Sequence, residues 1–356
     1  LSSAVADIKE FGAVGVTGVD DTAAIQAALD AIDNQGGGIV QVPPGTYEIT
    51  RLTLGDHTWL RGAGAHASIL KNTQTSANHG MVTNKNQTDG NTNLKVTDLT
   101  LHRTVNVSAT GNFNEAIYFK SSKYIWIDRN RVIGAATGTN NTNTKGISCE
   151  GCTYIWIRGN VLYNIGDNSI AINWSGVRSD GFAHVTDNVM ELNGSPSWVH
   201  SGVVVTADHC VVSRNIMVTN FTSSPTNAVE IGSAVDDVIV TNNRTKNSGL
   251  VVMLSGTNIL IDSNTTDGAI SLNAQTTNIE RVTITNNILA GALAHISVRA
   301  MNDPQTTSHV LVAHNSISGS THATRPAMLS EGTVSKLSVI GNYAHDNNNG
   351  GFALPA

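Results

Sequence analysis

One recurring phrase limits what this chain can fold into. YIWIDRN ends at Asn130 and YIWIRGN ends at Asn160. Weaker copies end at Asn188 (AHVTDN), Asn215 (CVVSRN), Asn243 (VIVTNN), Asn264 (ILIDSN), Asn287 (VTITNN), Asn315 (VLVAHN) and Asn342 (LSVIGN). Successive copies stand 30, 28, 27, 28, 21, 23, 28 and 27 residues apart. Each is a short strand with apolar residues at alternate positions, closed by an Asn and followed by another apolar pair. A unit of that size cannot bury its own apolar face, so each stacks on the next and the chain is a solenoid.

A second strand precedes each phrase: AIYF at 116–119, GISC at 146–149, SIAI at 169–172, GVVV at 202–205, AVEI at 228–231, GLVV at 249–252 and ISV at 296–298. A third short apolar element follows the Asn, as at Val132, Val161, Ile216 and Ile288. Three strands per repeat with polar turns describe one coil of a parallel β-helix. The repeats are shorter than the roughly 40–45 residues of a propeller blade and lack helical periodicity. Asn at one corner of every coil tolerates tight-turn backbone angles and bonds neighbouring backbone groups. Coils stacked about 4.8 Å apart would line these side chains into a ladder. The expected fold is therefore all-β, a parallel β-helix with an Asn ladder.

Composition narrows the function classes. Net charge is −6, with no basic footprint for nucleic acid. No apolar run reaches the roughly 18 residues of a membrane span, and no signal peptide is visible, although the chain starts like a fragment of something longer. The Cys149–Cys152 pair forms a lone C-x-x-C that closes a strand rather than opening a helix, so no redox or zinc role is assigned to it. No metal ion or cofactor is expected.

At the amino end, Asp21 or Thr22 can cap a helix whose Ile25, Leu29 and Ile32 share one face, and QGGG at 35–38 stops it. This helix should plug the open end of the solenoid. Residues 1–92 then form the cap and first coil, 93–345 the β-helix, and 346–356 a poorly ordered tail or interchain contact, all in one elongated domain. Segments 137–144, 175–181, 193–201, 221–227, 300–308 and 318–326 interrupt the coils, while the short repeats ending at Asn264 and Asn287 lack long insertions at some corners. Such uneven walls suggest a groove.

The opening DIKEFGAVG…DDTAAIQAALDAI…GGGIVQVPPGTYEI resembles that of the pectate-lyase-like right-handed parallel β-helix superfamily, which includes phage tailspike depolymerases. VTGV at 16–19 replaces the Gly-Asp-Gly usual there. The resemblance implies a polysaccharide depolymerase acting on a bacterial surface glycan or another complex or acidic polysaccharide. It also implies a homotrimer that is extracellular, secreted or on a virion tail. Reaction type stays open, because this scaffold carries hydrolases, lyases, epimerases and binders.

Alternation along the upstream strands points one column outward: Tyr118, Ser148, Ala171, Val204, Glu230, Val251 and Ser271. Glu115, Lys145, Asp167 and His200 come just before those strands, with Glu150 and Asn173 just after the column. Glycoside hydrolysis needs two carboxyl groups about 5–5.5 Å apart for retention or 6.5–9.5 Å for inversion. The pool is Asp167, Glu150, Glu230 and Asp180. GDNSIAI at 166–172 resembles the Gly-Asp-Asp-x-Ile-Ala-Ile of polygalacturonase-type hydrolases; Asp167 carries over, while Asn168 replaces the second Asp. A lyase or epimerase would need a base and a cationic neutraliser, for which His200, Lys145 and Tyr118 are candidates. The Asp-Pro-His-Glu of alginate epimerases is absent. Trp174 and Trp198 could stack on sugar rings, with Lys145, Arg178 and Tyr118 as further substrate contacts. A non-catalytic glycan-binding or adhesin β-helix is the other class of reading.

Overall fold

The computed structural model describes residues 4–73, 80–104, 115–134, 145–173, 180–192, 201–219, 227–232, 234–275, 277–300, 304–321 and 325–353. Among them, the chain winds through three long parallel sheets of 13, 12 and 12 strands. Sheet 1 holds the recurring phrase, as in Lys123–Asp128 and Thr153–Arg158. Sheet 2 holds the upstream strands Ile117–Lys120, Ile147–Glu150, Ile170–Ile172, Ser201–Val205 and Asn227–Ile231. Sheet 3 holds the strands after the Asn, such as Arg131–Ile133 and Val161–Ile165. Each coil visits sheets 2, 1 and 3 in turn. Because strands pair in register with the next coil, Ile117 meets Ile147, Ile147 meets Ile170, and Ile170 meets Val203. Those aliphatic residues fill one continuous core.

The Asn ladder is continuous. The backbone N–H of Asn130 donates to Asn160 Oδ1 at 2.9 Å, and the same bond repeats through Asn188, Asn215, Asn243, Asn264, Asn287, Asn315 and Asn342. Each amide nitrogen also donates to a core-strand carbonyl of the preceding coil, as Asn215 Nδ2 does to Val185 O at 2.8 Å. The tight-turn backbone expected of these Asn residues belongs instead to the residue before each: φ is 54° at Arg129, 59° at Asp187 and 55° at Arg214. Gly159 and Gly341 take that left-handed slot in two coils. The ladder side chains thus hold a turn that most residues would avoid.

The helix α1, Thr22–Asn34, buries Ile25, Ala28, Leu29 and Ile32 against the first coils. Asp21 precedes it, but its carboxylate makes no cap bond to the helix and instead accepts from Val14 N at 2.6 Å and Gly15 N at 3.0 Å. Asp20 Oδ1 accepts from Thr22 N at 2.9 Å. Stacked strands begin with Ala4–Asp7 and Gly38–Val42, ahead of the regular repeat. In the tail, Phe352–Ala353 pairs with Met328–Glu331 and continues sheet 2. One alternation expectation fails. Val251 pairs with Val229 and lies in the core, and Val252 takes the register position beside Glu230. GLVV is apolar throughout, so its pattern carries no phase.

Substituting Asn215 by Ala strands the buried Asn188 N–H and Val185 carbonyl. Each unpaired buried group costs about 1–3 kcal/mol, so urea denaturation should show a loss of roughly 3 kcal/mol. An unchanged midpoint would contradict the ladder's role.

Candidate active site

The outward face of sheet 2 and the turns leading into it gather several buried or half-buried charged side chains, among them Glu115, Lys145, Glu150, Asp167 and Glu230. Its central column reads Tyr118, Ser148, Ala171, Val204, Glu230 by strand register. Ala171 and Val204 are fully buried although they point away from the core cluster. This face is therefore a covered floor, with half-buried carboxylates standing around it.

Two groups of side chains meet there. In the first, Tyr118 Oη donates to Glu150 Oε2 on the next coil at 2.5 Å. Burial, reinforced by that bond, pushes the Tyr118 phenol well above its usual range. The phenol is therefore a donor at neutral pH and not a proton acceptor. Glu115 and Lys145 occupy the same position on successive coils, two residues ahead of Ile117 and Ile147. Glu115 is 1% exposed, and its Oε2 has no hydrogen-bond partner among the described residues. Burial raises its carboxyl to about 7, against the pull of Lys145 and Arg103. Burial likewise lowers the Lys145 ammonium, while Asp167, Glu115 and Glu150 work the other way.

In the second group, Lys145 Nζ lies 3.9 Å from Asp167 Oδ2, with Lys145 2% and Asp167 16% exposed. Asn168 Oδ1 accepts from Ser201 N at 3.0 Å. Ser201 Oγ in turn donates to Glu230 Oε2 at 2.8 Å, drawing Glu230 back over the preceding coil. Burial raises the Glu230 carboxyl; Ser201 opposes the shift and Asp167 adds to it. Asn168, which stands where the polygalacturonase-type motif has its second Asp, is thus a buried strut that aligns the Ser201–Glu230 pair.

The structure brings Tyr118, Lys145, Glu150, Asp167 and Glu230 onto this one face. Asp180 lies apart, exposed at the corner leading into sheet 1, bridged to Asp208. Trp174, Arg178, Trp198 and His200 lie outside the described residues. Glu115 and Arg103 enter the site without a motif to mark them. Arg103 ends a sheet 3 strand and donates from Nη1 to Glu115 O at 2.7 Å, a long-range contact that no local pattern encodes. Among the described residues, no three His, Cys, Asp or Glu side chains converge to hold a metal ion. Cys149, Cys152 and Cys210 are buried and form no disulfide.

Glu115 gives the site a pH signature. Its folded-state pKa lies above the unfolded value, so the native chain binds the extra proton. The stability this contributes is complete below about 4.5 and is lost as pH rises toward about 7. Chemical denaturation across that window should show Glu115→Gln with a flatter pH dependence than the wild type. Identical slopes would contradict the assignment.

Comparison with known proteins places this architecture. A family model described as rhamnogalacturonase A/epimerase, pectate lyase-like, matches residues 5–248. Mannuronan C5-epimerase AlgE6 of Azotobacter vinelandii is 42% identical over 79 residues, 20% of this chain and 9% of the epimerase. The chain thus matches only a small part of the length of such curated relatives, 4% to 13% for the other mannuronan epimerases. Among solved structures, the tailspike protein of E. coli bacteriophage HK620 superposes with a TM-score of 0.69 at 14% identity, covering 94% of this chain and 66% of that one. The exopolygalacturonase of Thermotoga maritima superposes with a TM-score of 0.64 at 11% identity, covering 96% and 93%. At those identities the likeness shows the fold. The family match covers more than half of the chain and spans Glu115, Glu150, Asp167 and Glu230, so the chain belongs to the rhamnogalacturonase A/epimerase family of pectate lyase-like proteins.

Proposed function

We propose that this protein is a polysaccharide depolymerase that hydrolyses glycosidic bonds on the outward face of sheet 2. The observation that carries the reading is the unlike pair Asp167 and Glu230. Glu230 is held by Ser201 in a site where burial favours its protonated form. Asp167 has the Lys145 ammonium beside it. Two carboxyl groups in contrasting environments are the arrangement for general acid and partner base. In this reading Glu230 gives its proton to the leaving glycosidic oxygen as the C–O bond breaks. Asp167 takes a proton from the water whose oxygen bonds to the anomeric carbon. The two residues belong to coils two apart, separated by the coil of Ser201, or roughly 10 Å of backbone along the axis. With Glu230 reaching back toward Asp167 over the coil of Ser201, a carboxyl separation wider than the roughly 5–5.5 Å of retention leaves room for a water and fits inversion. Glu150, bonded to Tyr118, and Lys145 line the same face as substrate contacts, with Lys145 suited to a uronate carboxylate. Asp180, His200, Trp174, Trp198 and Arg178 complete the candidate set around it.

The substrate class we infer is an acidic or complex polysaccharide, in keeping with family relatives named for rhamnogalacturonan and mannuronan. In keeping with the resemblance of the chain's opening to tailspike depolymerases, we extend the reading to a homotrimer working outside the cell, secreted or on a virion tail. Among the described residues no helix is long and apolar enough to cross a membrane. One observation favours a second reading. Burial lowers the Lys145 ammonium, which suits a base for β-elimination beside a uronate.

Glu230→Gln and Asp167→Asn should each cut turnover by about a thousandfold, the scale of a lost general acid or base, with substrate binding kept. Proton NMR of the fresh product should show the inverted anomer. Full activity in Glu230→Gln with loss in Lys145→Met would instead support elimination. Binding without cleavage by the wild type would support an adhesin.

A further inference from the structure

A second feature lies on sheet 1, a different face of the solenoid. Its outward residues form columns of aromatic rings. Trp126 stacks on Trp156 at 4.9 Å between ring centres and 8° between planes, and His184 continues the stack at 6.5 Å. Beside it run Tyr124, Tyr154, Phe182 and His209, with neighbouring ring centres 4.7 to 5.1 Å apart. Within these ladders each ring covers its neighbour's face, leaving edges for solvent.

The Trp column breaks at one coil. By strand register Trp59 is followed by Lys95 and then Trp126, so a slim aliphatic stem stands where the ladder would carry a ring. Two indoles two coils apart are separated by roughly 10 Å, and their own thickness leaves a slot of about 6 Å. Lys95 Nζ fills that slot, 5.7 Å from the Trp59 ring centre and 4.7 Å from that of Trp126. The slot opens into a cavity of about 340 Å³ lined by Gly37, Ile39, His57, Trp59, Asn93, Lys95 and Trp126 among others. That volume is in the range of small-ligand sites. The cavity floor depends on Gly37, where φ is +112° and an added Cβ would come within 2.4 Å of His57 Cβ.

Among the described residues the charge in this slot meets two indole faces but no carboxylate. Among the described residues the lining contains no Asp or Glu. The acids along the same sheet are already engaged: Asp98 with Arg129 at 2.8 Å, Asp128 with Arg158 at 2.8 Å and Asp187 with Arg214 at 2.7 Å. Among the described residues the Lys95 ammonium makes no hydrogen bond or ion pair, only its two ring contacts. Trp59 is fixed, its Nε1 donating to Thr97 Oγ1 at 2.9 Å and its ring contacted by Arg61.

We propose that this slot binds one carboxylate-bearing sugar ring of a glycan chain, outside the sheet 2 site. The sugar ring sits in the cavity at the mouth of the slot, with a C–H face against the indole rims, and draws the Lys95 ammonium outward to its carboxylate, with His57 and Asn93 at the rim. Aromatic walls with one cation that has no carboxylate among the described residues fit an acidic sugar better than a neutral one, which offers the ammonium no charge. The inference shares with the proposed function only the class of ligand.

The test is calorimetric and tryptophan-fluorescence titration of the full chain with trigalacturonate, with trimannuronate, and with neutral maltotriose. The double variant Glu230→Gln, Lys145→Met serves as the parent, so that binding is read without turnover under either the hydrolytic or the eliminative reading. At least one acidic trimer should bind saturably and quench fluorescence, and maltotriose should bind at least tenfold more weakly. Lys95→Gln and Trp126→Ala should each weaken the acidic trimer at least tenfold, while Trp126→Phe, which keeps a ring, should retain most of the affinity. Three results would overturn the proposal. One is acidic-trimer affinity unchanged in both Lys95→Gln and Trp126→Ala. Another is no binding by the parent. The third is a fall in sedimentation mass on Trp126→Ala, which would make this face a contact between copies of the chain.

Discussion

Everything in this molecule depends on hydrogen bonds that run along the axis from one coil to the next. A single coil has no partner for its strand amides and no second layer for its core. Stacking supplies both, and the Asn ladder fixes the corner where the chain turns from sheet 1 to sheet 3. There each coil places a residue with φ near +55°, such as Arg129, Asp187 or Arg214, immediately before the Asn. That conformation disfavours most side chains. The two-sided bonds of each Asn, to the next ladder residue and to a carbonyl of the preceding coil, offset it.

The same stacking turns sequence columns into sites. On sheet 2 it sets Tyr118 against Glu150, Lys145 against Asp167 and Ser201 against Glu230. None of these pairs is closer than 22 residues in sequence. On sheet 1 it produces aromatic ladders and one break in them, at Lys95. The repeat therefore does two jobs. It builds a rigid frame, and it lets single substitutions within a column create local chemistry without disturbing the core behind it.

Much of the fold could be read from periodicity, because the apolar alternation and the terminal Asn survive in nine copies. The outward column could be read as well, wherever a strand alternates. It failed at Val251, where GLVV has no polar residue to set the phase, and the strand faced the other way. The site was legible only as positions. Asp167, Glu150, Glu230, Lys145 and Tyr118 could be placed on one face, but what surrounds them could not. The 1% exposure of Glu115 and its contact with Arg103 arise from a sheet 3 strand that meets sheet 2 across the coil. The Asn168 strut was visible only as a departure from a motif. Its bond to Ser201 requires the next coil to be in place. The Asp21 carboxylate, turned toward Val14 and Gly15 instead of the helix, is a tertiary choice that capping preference does not encode.

The central claim is that the sheet 2 face cleaves a glycan by hydrolysis. The most direct measurement is incubation of the protein with a panel of acidic capsular and plant polysaccharides, following new reducing ends and ultraviolet absorbance together. The account predicts reducing ends that rise with no gain in absorbance, because hydrolysis creates no unsaturated uronate. Absorbance rising in step with reducing ends would contradict it, and would move the chemistry from the Asp167–Glu230 pair to elimination at Lys145.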